Sequence, residues 1–80
     1  MENKIAVIAI IVSEYNAVET VNAVLHDFRA YVVGRMGIPY RQKNVNIISV
    51  VLDAPPEILN SLSGKLGMIS GVTSKVLTAK

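Results

Sequence analysis

The chain has 80 residues and a mass of 8.6 kDa, which allows one small domain over residues 1–80 and little else. Hydrophobic residues make up 51% of it and charged residues 18%, with a mean hydropathy of +0.44, too apolar for a disordered tail and high enough in so small a protein to point to a buried partner surface. The net charge of +2 is too small to argue for nucleic acid, and the lack of cysteine removes disulfides, thiolate metal sites and a Cys nucleophile while being compatible with a reducing, cytoplasmic compartment.

The first element is apolar. Lys4 precedes the eight-residue run Ile5 to Val12, far shorter than the ~20 residues of a membrane helix. Glu2 offsets Lys4, and Ser13-Glu14-Tyr15 follows the run, so a signal peptide is a poor fit. The β-branched content predicts a buried strand from Lys4 to about Ser13.

Asn16, three residues before Glu19, reads as the N-cap of a capping box. Val18, Val21, Leu25, Phe28 and Val32 then recur at helical spacing, with Arg29 suited to the negative end of the dipole, and this predicts a helix ending near Tyr31. Val32 to Tyr40 reads as a second strand. Gly34, Gly37 and Pro39 place it at a sheet edge or a bulge. Arg41 to Asn44 is a polar turn, and Val45 to Asp53 a third strand. Ala54-Pro55-Pro56-Glu57 opens a second helix, with proline and an acid in its first turn. Ile58, Leu59, Leu62 and Leu66 form its core face, Lys65 lies near its end, and Gly64 or Gly67 helps to stop it. Val72 to Thr78 is the last strand.

The order β-α-β-β-α-β predicts an α+β, ferredoxin-like fold: a four-stranded antiparallel sheet with both helices on one face, strands one and three central, strands two and four at the edges. Both alternating sets of strand one, Ile5/Val7/Ala9/Ile11 and Ala6/Ile8/Ile10/Val12, are apolar. Strand three repeats this, apart from Asn46 and Ser49. A sheet with one wet face should show polar alternation instead. The helices cover one face only, so a second copy of the chain is the expected cover for the other. Hiding ~500 Å² of apolar surface per chain is worth on the order of 12 kcal/mol before association costs. Ile8→Lys or Ile48→Lys is therefore expected to give monomeric or insoluble protein; the pattern alone does not say which face of each strand meets the partner.

The catalytic inventory is thin. His26 stands alone, with no second His or Cys to complete a metal site. Capping accounts for Glu19 and Glu57 without acid–base work. Ser63-Gly64-Lys65 is no phosphate loop: Leu59 occupies the earlier glycine position, Leu66 replaces Ser/Thr, and the motif ends a helix rather than starting one. Acylphosphatases share the strand order but need a glycine-rich anion loop after strand one, where this chain has Ser13-Glu14-Tyr15-Asn16. RNA-recognition modules carry aromatics on the open sheet; here Tyr15, Phe28, Tyr31 and Tyr40 all fall outside the central strands. Arg35, Arg41 and Lys43 cluster around the hairpin, as a solvated turn or as a site for a small anion or acidic partner.

Val33-Gly34-Arg35-Met36-Gly37-Ile38-Pro39-Tyr40 and Ser63-Gly64-Lys65-Leu66-Gly67-Met68-Ile69-Ser70-Gly71-Val72, in this order and with an apolar strand between them, resemble the small proteins grouped as iron-only hydrogenase system regulators. The likeness covers nearly the whole chain. The family is similar in fold to ACT domains and to the ligand-binding domain of the nickel-responsive regulator. The resemblance implies a non-enzymatic, ACT-like regulatory module that acts as a homodimer or homotetramer through the open sheet face, linked to [FeFe]-hydrogenase expression or assembly. Nickel-regulator domains hold metal through several histidines and a cysteine, and His26 alone does not reproduce that set, so no metal or cofactor is expected. No DNA-reading segment is present, so direct nucleic-acid binding is not expected, nor is a membrane role. By analogy with ACT domains, a small ligand would lie at the loop Ser13 to Asn16. Asn16, Arg35, Gly37 and Tyr40 are the candidate ligand-binding residues: Asn16 from that loop, Arg35 for its charge, Gly37 for close backbone approach and Tyr40 for stacking. The competing readings are a structural assembly or adaptor protein without a small ligand, and an enzyme of the acylphosphatase type.

Overall fold

A computed structural model describes residues 2–79. Four strands and two helices follow in the order β1 (Lys4–Val12), α1 (Ala17–Asp27), β2 (Val32–Tyr40), β3 (Val45–Ala54), α2 (Pro56–Gly67) and β4 (Val72–Thr78). They form one antiparallel sheet ordered β2-β3-β1-β4. The two apolar strands are thus central, and the two carrying Gly, Pro and charge are the edges, where a missing N–H or a bulge costs least. The ferredoxin-like expectation holds.

The period-two alternation sorts the side chains. Ala6, Ile8, Ile10 and Val12 of β1 and Ile48, Val50, Leu52 and Ala54 of β3 lie beneath the helices and are buried. Val21 and Leu25 from α1 and Leu59, Leu62 and Leu66 from α2 close over them, with Ala17 and Phe28 at the margin. Ile8 and Ile48 therefore belong to the helix-covered core. A lysine at either would disrupt folding and would not report on a partner surface, which corrects the expectation attached to them.

Three local features differ from the sequence reading. Asn16 is not a side-chain cap: its φ of −64° and ψ of −22° are helical, and its side chain makes no capping bond. The first free N–H groups are met by backbone, with Ala17 N donating to Glu14 O (3.0 Å) and Val18 N to Tyr15 O (3.2 Å), so a tight turn does the work assigned to the amide. The first helix stops at Asp27, followed by a separate 3₁₀ turn, Arg29–Tyr31. Val32 thus leaves the helical stripe and opens β2. Arg29 Nη1 donates to His26 O at 3.0 Å, the C-terminal role its position suggests. Gly64 lies inside α2 and Gly67 ends it, neither in a left-handed conformation. The glycine whose freedom the fold uses is Gly71, at φ +81°. Its carbonyl accepts from Ser13 N (2.8 Å) and Ser13 Oγ (3.1 Å), and a Cβ there would meet the Glu14 side chain at 2.5–2.8 Å. This clasp joins the loop after β1 to the start of β4.

Candidate functional site

The pairing register lays out the helix-free face row by row. Val51 and Val7 sit side by side between Gly34 and Leu77; Ser49 and Ala9 between Met36 and Lys75; Ile47 and Ile11 between Ile38 and Thr73. Tyr40 and Val45 close one end, Asp53 and Ile5 the other. Each of these strands has a period of two, and in the central strands β1 and β3 the other set is already committed to the core. As a result Ile5, Ile11, Met36, Ile38, Tyr40, Ile47 and Leu77 are 39% to 73% exposed on one contiguous surface. Lys75 and Asp53 are the charges in those rows, one on an edge strand and one near an end.

At the Tyr40 end lies a cleft of about 360 Å³. The loop after β1 supplies Ser13 and Tyr15, the end of β2 Pro39 and Tyr40, the turn Arg41 and Asn44, and the start of β3 Val45 and Asn46. A 3₁₀ turn, Arg41–Lys43, shapes the hairpin and ends on Asn44, whose φ of 54° is left-handed, a conformation asparagine tolerates better than most residues. Asn44 N donates back to Arg41 O at 3.2 Å and closes the turn. The side-chain hydrogen bonds among the described residues are donated by Ser13, Arg29 and Arg35. Tyr15, Tyr40, Arg41, Asn44 and Asn46 take part in none of them.

The four residues singled out in the sequence do not meet. Tyr40 lines this cleft. Asn16 lines a separate hollow with Tyr15, Val18 and Glu19 on the α1 side of the loop. Arg35 is paired with Val50 and so points to the helix side, where its Nη2 donates to Asn22 Oδ1 at 2.7 Å. Gly37 shares that side, and nothing lies within 4 Å of where its Cβ would be, so no close backbone approach demands glycine there. Ser13 and Tyr15 belong to the loop where the ACT analogy places a ligand, whereas Asn44 and Asn46 were not singled out. The signal that could have found them is the turn itself: Asn44 at the end of a four-residue polar break between two strands is where a left-handed residue is expected. Among the described residues no three His, Cys, Asp or Glu side chains converge as a metal site, and no helix is long and apolar enough to cross a membrane.

Comparison with known proteins agrees with this fold. No functionally curated protein matches the sequence. The fold superimposes on the uncharacterized protein TM1266 from Thermotoga maritima with a TM-score of 0.94 at 38% identity, covering 99% of this chain and 100% of that one. A formyltetrahydrofolate deformylase from Pseudomonas putida KT2440 is similar over 92% of this chain but only 28% of its own length, at 19% identity and a TM-score of 0.61. CPII from Thiomonas intermedia K12, solved with ADP, AMP and acetate, is similar at 19% identity and a TM-score of 0.50, over 96% of this chain and 89% of its own. The last two likenesses speak for the fold alone. A family model described as "TM1266-like: Iron-only hydrogenase system regulator, putative" matches residues 4–76, nearly the full length, and the chain belongs to that family.

Proposed function

We propose that this chain is a non-enzymatic regulatory module of an iron-only hydrogenase system in the cytoplasm, a single ACT-like domain that works as a homo-oligomer assembled through the helix-free face of its sheet and responds to a small ligand. The family description supports the regulatory part. The observation that carries the assembly is the apolar face itself. Seven large side chains, 39% to 73% exposed, amount to on the order of 600 Å² in one patch. A stable pairing of two proteins buries about 800 Å² per partner, so this face is the right size to be most of such an interface. A second copy is the occupant that matches it best, being equally apolar. The small central pair, Ser49 and Ala9, leaves room for two sheets to approach.

The test is the mass in solution. Light scattering of the wild-type chain should give at least twice 8.6 kDa, and Ile47→Lys or Ile11→Lys should give 8.6 kDa with an unchanged circular dichroism spectrum. In the source cell, loss of the protein should alter hydrogenase expression or activity, and the wild type but not Ile47→Lys should restore it. A wild-type chain that stays monomeric at millimolar concentration refutes the assembly. Restoration by a monomeric variant would leave regulation without a role for assembly.

A further inference from the structure

We infer that the cleft between the loop after β1 and the β2–β3 turn is a binding site for a small planar organic anion, an aromatic or heteroaromatic ring bearing a carboxylate or phosphate. Its volume of about 360 Å³ falls at the small end of ligand pockets, which run from about 300 Å³ upward. Its chemistry is specific in three respects. It contains one guanidinium, Arg41, and no carboxylate among its lining residues, so its field favours an anion, and the planar fork of arginine suits a carboxylate or phosphate edge. It carries two tyrosines, Tyr40 and Tyr15, and Tyr15 is 88% exposed, an aromatic surface that gains nothing from the core and offers a ring face to a flat ligand. It also has a set of uncommitted polar groups. The Asn46 side chain is half-buried at the cleft, with Asn44 beside it. The Ser13 hydroxyl already donates to Gly71 O, so toward a ligand it presents lone pairs and takes a ring or amine N–H. The backbone of both walls is tied before binding, because the Gly71 clasp holds Ser13 and the Asn44-to-Arg41 bond closes the turn, which lowers the backbone part of the ordering cost of capture.

This site deepens the regulatory reading by naming its ligand class, and rests on that reading only for its purpose in the cell, since every lining residue comes from one chain. The probe is benzoate, titrated into the isotope-labelled full chain while amide NMR signals are followed. Cyclohexanecarboxylate serves as the non-planar acid and benzyl alcohol as the uncharged ring. Benzoate should give saturable shifts at Ser13, Tyr15, Tyr40, Asn44 and Asn46, and should bind about tenfold more tightly than either control, the step expected for losing a charge-assisted pair or a ring contact. Arg41→Gln should weaken benzoate by a similar factor while leaving the spectrum of the free protein otherwise intact. Shifts that do not saturate, that fall elsewhere, or that are equal for benzoate and both controls overturn the site. Repeating the titration on Ile47→Lys keeps the two proposals apart. Monomeric Ile47→Lys should still bind benzoate; a wild-type chain that binds but stays monomeric would refute the assembly and uphold the cleft, and a wild-type chain that associates without binding at the cleft would do the reverse.

Discussion

The two faces of the sheet are built from nearly the same residues and end in opposite surroundings. On β1, Ala6, Ile8, Ile10 and Val12 are closed off by helices, while Ile5, Val7, Ala9 and Ile11, no more polar, look outward. Ordinarily the outward set is where selection for solubility places Lys, Glu and Thr. Here those types are confined to the edge strands, as Thr73 and Lys75, and to the ends, as Asp53. One face is thus explained by the fold of a single chain, and the other is the surface on which the proposed assembly rests. The contrast separates two kinds of apolar residue that composition counts together, those buried in the domain and those exposed on its surface.

The sharpest way to break this comparison is a pair of neighbours. Ile10→Ala opens a cavity in a fully buried site and is expected to cost about 2–5 kcal/mol, a large share of what a domain this small has. Ile11→Ala, one residue on, is expected to cost less than about 1 kcal/mol in dilute protein, where no partner covers it. Chemical denaturation of both variants, at low and high protein concentration, reads the difference. The Ile11 penalty should grow with concentration and the Ile10 penalty should not. Equal costs in dilute solution would mean that the helix-free face is covered within the chain.

Next in size is Gly71→Ala. It forces a side chain into a left-handed conformation and against Glu14, and should lower stability by about 1–3 kcal/mol. Adding Glu14→Gly removes the clash but not the backbone strain, so the double variant should recover only part of the loss in thermal melts. Full recovery would mean that the strain at φ +81° counts for little.

Arg35→Ala is a smaller probe, on the other side of the sheet. It removes an exposed hydrogen bond to Asn22, and should cost less than about 1 kcal/mol. Unaltered benzoate binding is expected as well, because Arg35 faces away from the cleft. Loss of binding in this variant would return Arg35 to the ligand site.

How far the sequence disclosed all this depends on which physical signal each part carries. Strand order, the two apolar strands and the limits of β2 and β4 follow from alternation and from punctuation by Gly, Pro and polar turns, and these are local signals. The grouping of the site was not legible, and β2 shows why. Val32 pairs with Leu52 and packs on the core, yet Gly34, of the same parity, pairs with Val51 and faces outward. The register shift between Val32 and Gly34 inserts one residue and inverts every position after it. Arg35 and Gly37 therefore turn toward the helices while Tyr40 turns to the open face. Gly34 hinted that a bulge was possible, but only the pairing with β3 places it. The meeting of the Ser13–Asn16 loop with Asn46 was not legible for a related reason: they lie far apart along the chain and come together only when β1 and β3 pair.

The smallest effect is expected at Asn16, and it is informative because it should be small. An asparagine that caps a helix through its side chain loses about 1 kcal/mol when replaced by alanine. At Asn16 the amide makes no such bond, and the backbone is already helical, with the first N–H groups met by Glu14 O and Tyr15 O. Asn16→Ala should therefore change stability by less than about 0.5 kcal/mol in a denaturant titration, and should leave benzoate binding intact, since its hollow is not the cleft that Tyr40 lines. A loss near the full capping value would show that the capping box forms in solution after all. The start of α1 would then be held by its side chains, and the loop that frames the cleft would owe its shape to Asn16 rather than to the clasp at Gly71.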